Sequence, residues 1–221
     1  MTTPPLATET ARLVAGLAAA APSARLQAAM LLGTRPDPRV IEALVARLGV
    51  EPDFFVRDML TWALTRHPVA DVLPRLVAEL DSATAQARSQ ALHTLSKLQH
   101  PDLWGLLPWP RLLHDPDDEI ARVAWRTAVA AAPPERETEL AAALMQELGR
   151  GSHETQLSLS RALVALGDTM RPMLAEALTS TEPHIRAHAR ATEVLRRNPD
   201  ADVAVDEAIR VAITNAAPQG D

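Results

Sequence analysis

His184 and His188 stand four residues apart, a spacing that puts two imidazoles on one side of a helix and could begin a metal site. Ile185 occupies the place where a metal-dependent hydrolase of that spacing carries its glutamate base, and no third ligand is in register. Asp115, Asp117, Asp118 and Glu119 lack the glycine and the spacing of a calcium loop, and read instead as negative charge at a helix N-terminus. Gly149 and Gly151 in GRGS have no preceding strand, so they close a turn rather than cradle a phosphate. Ser158 and Ser160 have neither a base in register nor a nucleophile elbow. The absence of Cys removes thiolate ligands, disulfides and Cys nucleophiles together. The sequence therefore predicts no catalytic residue, no metal and no cofactor.

What remains is contact chemistry. Asp58, Trp62, Thr65 and Arg66 share one side of a helical segment, and Gln86, Ser89, Gln90, His93 and Lys97 share one side of another, opposite Ala87, Ala91, Leu95 and Leu98. Arg126 and Arg161 leave the apolar stripes of two later segments. Asp58, Trp62, Gln90, His93, Arg126 and Arg161 are accordingly the candidate partner- or ligand-binding residues. The competing reading is a set of solvated polar faces with one half-buried Trp.

The elements that carry these residues follow from composition. Ala (41) and Leu (31) supply a third of the 221 residues, Tyr is absent, and two Phe with four Trp leave little of the aromatic bulk that strands use. The expectation is an all-α chain. No apolar run reaches the length of a membrane span, and the N-terminus lacks the basic start of a signal peptide, so a cytoplasmic location is expected. A net charge of −6 argues against nucleic acid as the partner.

The helices form a repeat. SARLQAAMLLG, FVRDMLTWALT, QARSQALHTLS, IARVAWRTAVA, LSLSRALVALG and HIRAHARATEV align on Arg25, Arg57, Arg88, Arg122, Leu159 and Arg186, at gaps of 32, 31, 34, 37 and 27 residues. Three residues later stand Ala28, Leu60, Ala91, Trp125, Ala162 and Ala189, and seven later Leu32, Leu64, Leu95, Val129, Leu166 and Glu193. Between these Arg-bearing helices lie partners built on VIEALVARL, LPRLVAEL, WPRLLHD, TELAAALMQEL and RPMLAEAL, with Pro74 and Pro172 expected just inside helix starts. Gly105, Pro108 and Pro110 interrupt the third partner around Trp104 and Trp109. A broken helix with its indoles plugging the gap is expected there, with a ligand-facing loop as the alternative.

A partner helix of the form Pro-x-Leu-x-x-x-Leu, an acidic turn and then Val-Arg-x-x-Ala resembles the HEAT repeat over roughly residues 22–197. More narrowly, the chain is similar to HEAT arrays of high-GC actinobacterial proteins. The resemblance implies a right-handed α-α superhelix, an armadillo-like solenoid of about six helical hairpins with the Arg-bearing helices on its concave side. One array over 1–221 is expected: an opening helix at about 6–20, the repeats, a capping helix at about 202–214 and a polar tail at 216–221. The function implied is a non-enzymatic adaptor that binds a protein, a peptide or a small ligand on the concave surface. The alternatives are an enzyme of the alkylpurine DNA glycosylase or phycobilin lyase type on the same fold, or a transcription regulator working through a partner.

Two further expectations concern charge. Asp53, Asp118 and Glu182 each precede their Arg by four residues, which predicts an intrahelical pair or a ladder to the next repeat. The Arg-bearing segments together carry a net charge of +4 and the rest of the chain −10, which favours an anionic ligand or acidic peptide in the groove.

Overall fold

A computed structural model describes residues 5–98 and 100–198, and its secondary structure is helical with no strand among the described residues. The chain divides into two compact units, Met1–Leu107 and Pro108–Asp221. The first holds α1 (Pro5–Gly16), α2 (Pro22–Thr34), α3 (Ile41–Leu48), α4 (Phe54–Thr65), α5 (Val69–Glu79), α6 (Ala85–Leu98) and the single turn α7 (Leu103–Leu106). The second holds α8 (Trp109–Leu113), α9 (Asp118–Ala131), α10 (Glu137–Met145), α11 (His153–Ala165), α12 (Arg171–Ala177) and α13 (Pro183–Arg197). The expected capping helix and polar tail lie outside the described residues.

The six Arg-bearing helices are α2, α4, α6, α9, α11 and α13, each preceded by its partner or, for α2, by the opening helix. All six residues at the third position after the repeat site are buried, from Ala28 to Ala189, as are Leu32, Leu64, Leu95 and Leu166 at the seventh. Each such Leu contributes roughly 1.5–3 kcal/mol by leaving water. Val129 is only partly covered, and Glu193 pairs with Arg196 and Arg197 instead of joining the core. Trp125 is fully buried and donates its indole N–H to the Leu113 carbonyl at 2.9 Å, so the core of the second unit holds the largest side chain without an unpaired donor.

The third partner is broken as its prolines predict. Pro108 forces Leu107 into an extended conformation (φ −105°, ψ 142°), ending α7 before α8 starts at Trp109. Trp109 is buried, and Trp104 is half-buried. Pro172 falls in the first turn of α12, but Pro74 does not open its helix: α5 begins at Val69, behind Pro68, and carries Pro74 in its interior. One i→i−4 bond is lost there, and the buried Val72 and Leu76 on either side of Pro74 hold the helix against the core.

Helix starts use the acids as caps. The Asp53 carboxylate accepts from the Val56 amide at 3.1 Å, and Asp117 accepts from the Glu119 and Ile120 amides at 3.0 and 3.3 Å. Ser152 caps α11 through the Thr155 amide. Gly149 and Gly151 hold φ of 86° and 69°, left-handed values that suit glycine and turn the chain between α10 and α11.

Candidate functional site

The repeated Arg is a fastener of the turn before it. In α2, α4, α6 and α13 the guanidinium Nη1 donates to the carbonyls six and five residues upstream: Arg25 to Ala19 and Ala20, Arg57 to Glu51 and Pro52, Arg88 to Ser82 and Ala83, Arg186 to Ser180 and Thr181. These carbonyls lie three and four residues past the preceding helix, in the turn between helices, where no helical ladder supplies them a donor. The pairing expected with Asp53 and Glu182 is not what these arginines make, because Asp53 is spent on its cap and the carbonyls lie closer to hand. Arg122 behaves instead as a ladder, bonding Glu119 on its own helix and Glu154 on α11.

Arg25 has a second task. Its Nε and Nη2 hold both oxygens of Glu51 at 2.8 and 2.7 Å, and Arg47 and the Asp53 amide complete the shell around a carboxylate with no exposed surface. Burial pushes Glu51 upward, but the Arg25 bidentate bond, the Asp53 amide and Arg47 outweigh it and hold the carboxyl down at about 2.

The open faces of α2, α4 and α6 are placed by what lies between the helices. Arg25 at the start of α2 reaches Glu51 just before α4, and Gly33 near its end packs on Trp62 and Ala63, so α2 and α4 run parallel. Between α4 and α6 the hydroxyls of Thr61 and Thr94 meet at 3.2 Å. A helix turns about 100° per residue, so the residue after Thr61 and the residue before Thr94 emerge on the same side of that contact. Those residues are Trp62 and His93. Gln90 lies one turn before His93 and Asp58 one turn before Trp62, so the four predicted residues of this unit share one face. Asp58 and Trp62 are exposed, and Gln90 and His93 are half-buried.

Two residues that sequence reasoning passed over join this face. Met30 on α2, 38% exposed, stands one turn before Gly33 and flanks Trp62 on the side away from His93. Phe55 lies two turns before Trp62 and is 70% exposed. Its position in the apolar start of α4 suggested core, yet its distance of seven residues from Trp62 was the available signal. Phe54, at 65%, meets it edge-on with ring centroids 5.6 Å apart, and Arg57 lies over the Phe54 ring at 5.9 Å.

In the second unit Arg126 and Arg161 are exposed. Thr127 returns its hydroxyl to the carbonyl four residues back, as Thr94 does, so Arg126 precedes its Thr as His93 precedes its own. Ser160 bonds Thr192 as Thr61 bonds Thr94, and Arg161 follows Ser160 as Trp62 follows Thr61. In the Arg-aligned register, however, Arg126 falls four and Arg161 two residues after its repeat site, whereas Trp62 and His93 each fall five after theirs, so neither Arg continues their row.

The remaining polar clusters serve packing. His188 is buried: its Nε2 donates to the Gln156 carbonyl at 2.9 Å, its Nδ1 accepts from the Gly149 amide at 2.9 Å, and Ser160 adjoins it at 3.0 Å. Burial pushes its imidazole down to about 4, with the Gln156 bond acting in the other direction. Its partner in sequence, His184, stands exposed at the surface beside Gly149. Arg150 gathers Asp118, Glu147 and the Asp115 carbonyl, and Glu147 also binds His114. No group of three or more potential metal ligands occurs among the described residues.

Residues 10–96 match the family model for HEAT repeats. No curated protein matches the chain. Among solved structures, an engineered protein determined by the Northeast Structural Genomics Consortium aligns over 95% of this chain at 21% identity with a TM-score of 0.44, and the chain spans 62% of that protein's length. No helix among the described residues is long and apolar enough to cross a membrane.

Proposed function

We propose, from the match of residues 10–96 to the family model for HEAT repeats, that the protein is a non-enzymatic scaffold whose Arg-bearing helices hold a protein or peptide partner on their open face. The observation that carries this reading is the row Met30, Trp62 and His93 on three successive helices, with a large apolar side chain and an indole left in water where a solvated face would carry short polar groups. Such a surface suits hot-spot contact, in which an aromatic anchor is covered by a partner.

The reading is tested by capturing partners from the native lysate with the intact chain and repeating the capture with Trp62→Ala and Arg126→Ala. Loss of the indole should weaken a verified partner by about 30-fold, the effect of a hot spot worth about 2 kcal/mol. Binding left intact by both substitutions would remove the face from consideration. The glycosylase alternative is separated by duplex DNA, which that enzyme class should bind with a steep salt slope and a peptide scaffold should not. We also take the two units to be successive parts of one array, a reading supported by the continuous repeat register. A single calorimetric transition is expected, and two independent ones would contradict it.

A further inference from the structure

The face of α4 carries a sequence of chemistries along its axis: the Phe54–Phe55 pair, then Asp58, then Trp62, then Arg66. Phe55 and Trp62 are two turns apart, about 10.5 Å along the helix, with Asp58 between them and Arg66 one turn beyond. Asp58, Arg66 and Lys97 on neighbouring α6 make no ion pair among the described residues, and all three are exposed. The arginines that gave the Arg-bearing segments their positive balance are, in this unit, engaged in turns: Arg25, Arg57 and Arg88 point at upstream carbonyls rather than along the face. The support for an acidic ligand at the centre of the face is therefore gone, and the charge standing between the two aromatic anchors is negative.

We propose that the partner held on this face is a protein segment with two apolar side chains about 10 Å apart, an Arg or Lys between them, and an acidic residue past the second. The apolar residues seat against Phe55 and Trp62, and the cation meets the Asp58 carboxylate with the indole beside it, a pairing that suits a guanidinium or ammonium group. The acidic residue answers Arg66 and Lys97, so the segment docks in one direction only. A second copy of this chain fits less well. Val50, Phe54 and Phe55, 63, 65 and 70% exposed, are the most exposed large apolar residues described, yet they offer on the order of 300–400 Å². A stable dimer needs about 800 Å² per partner.

This inference rests on the scaffold reading and specifies its partner. The test is a display library of short randomised peptides panned on the full chain, with the enriched peptides then titrated against Phe55→Ala, Asp58→Lys and Arg66→Glu. These side chains lie outside the core, and circular dichroism confirms that each variant folds. The expected peptides carry the apolar, basic, apolar, acidic order, bind at least about tenfold more weakly to Phe55→Ala, and lose affinity to Asp58→Lys. A peptide in which the basic residue is exchanged for Glu should regain binding to Asp58→Lys. Peptides that require Phe55 but are acidic at the central position would overturn the inference and leave the scaffold standing. Peptides indifferent to Phe55, Asp58 and Arg66 would remove both this partner and this face. If no peptide is enriched, the inference is overturned, and the scaffold reading is judged by the Trp62→Ala capture alone.

Discussion

The indole of Trp62 lies against the bare backbone of Gly33: a Cβ built on Gly33 would meet Trp62 Cζ3 at 2.5 Å and the Ala63 Cα at 2.8 Å. The glycine lets α2 approach α4 closely, and that approach gives Trp62 a floor on one side while the other stays in water. Trp62 is therefore neither a core residue nor a free surface one, and its 38% exposure is the outcome of both facts.

Gly33→Ala should destabilise the protein, although alanine is the better helix former by about 1 kcal/mol. The added methyl meets backbone, which cannot swing aside as a side chain can, so overpacking of about 1–3 kcal/mol is expected. Urea unfolding measures it, and a stabilised variant would show that the two helices are farther apart than described.

The two tryptophans Trp62 and Trp125 should separate in the same assay. Trp125→Ala empties a fully buried site and strands the Leu113 carbonyl, at about 3–5 kcal/mol. Trp62→Ala removes only the half of the ring that rests on Gly33, and about 1–2 kcal/mol is expected on the same area reasoning. Equal losses would mean that Trp62 is core.

Glu51→Gln should be costly, because it leaves Arg25 and Arg47 facing a neutral amide in a dry site; about 3–5 kcal/mol is expected for breaking one member of a buried pair. In the native chain the carboxyl is held at about 2 against an unfolded value of 4.5. Its contribution is thus complete above pH 4.5 and is lost as pH falls toward 2. Melts across that window should fall steeply for the native chain and less so for Glu51→Gln.

His188 titrates in a different window. Its folded value of about 4 lies below its unfolded 6.5, so the unfolded chain takes up the proton first. Stability is complete above pH 6.5 and declines as pH drops toward 4, by about 3 kcal/mol for this one group. His188→Gln should lower stability at neutral pH, since Gly149 and Gln156 lose their partner, and should flatten the slope between pH 6.5 and 4. An unchanged slope would rule out His188 as its source.

The helices and their buried sides were legible because apolar residues at the third and seventh places after the Arg repeat in sequence. The break at Pro108 was equally plain. The role of the Arg was not, for its acceptors are backbone carbonyls, which every residue has and no residue type announces. Pro74 misled because proline usually marks a helix start, and only Pro68 upstream betrays the earlier one. That Asp58, Trp62, Gln90 and His93 share a face was legible from polar residues at helical spacing. Phe55 was missed because an aromatic beside a core Val is ordinarily core, and Met30 because a long apolar side chain hides within an apolar stripe. The Gly33 contact depends on how two helices meet, which neither helix encodes alone.

The arginine clasp has a consequence for how such a chain can grow. Donor and acceptors lie within six residues of one another in four of the six copies, so a stretch of gene encoding a turn and its following helix carries its own lock. Copied, moved or deleted in register, that stretch closes its turn without a matching change elsewhere. The Arg25–Glu51 bond, by contrast, ties one copy to the next and must be inherited with its neighbour. The array thus contains both a portable joint and a fixed one, and insertions or losses of hairpins among related chains should fall at the portable ones.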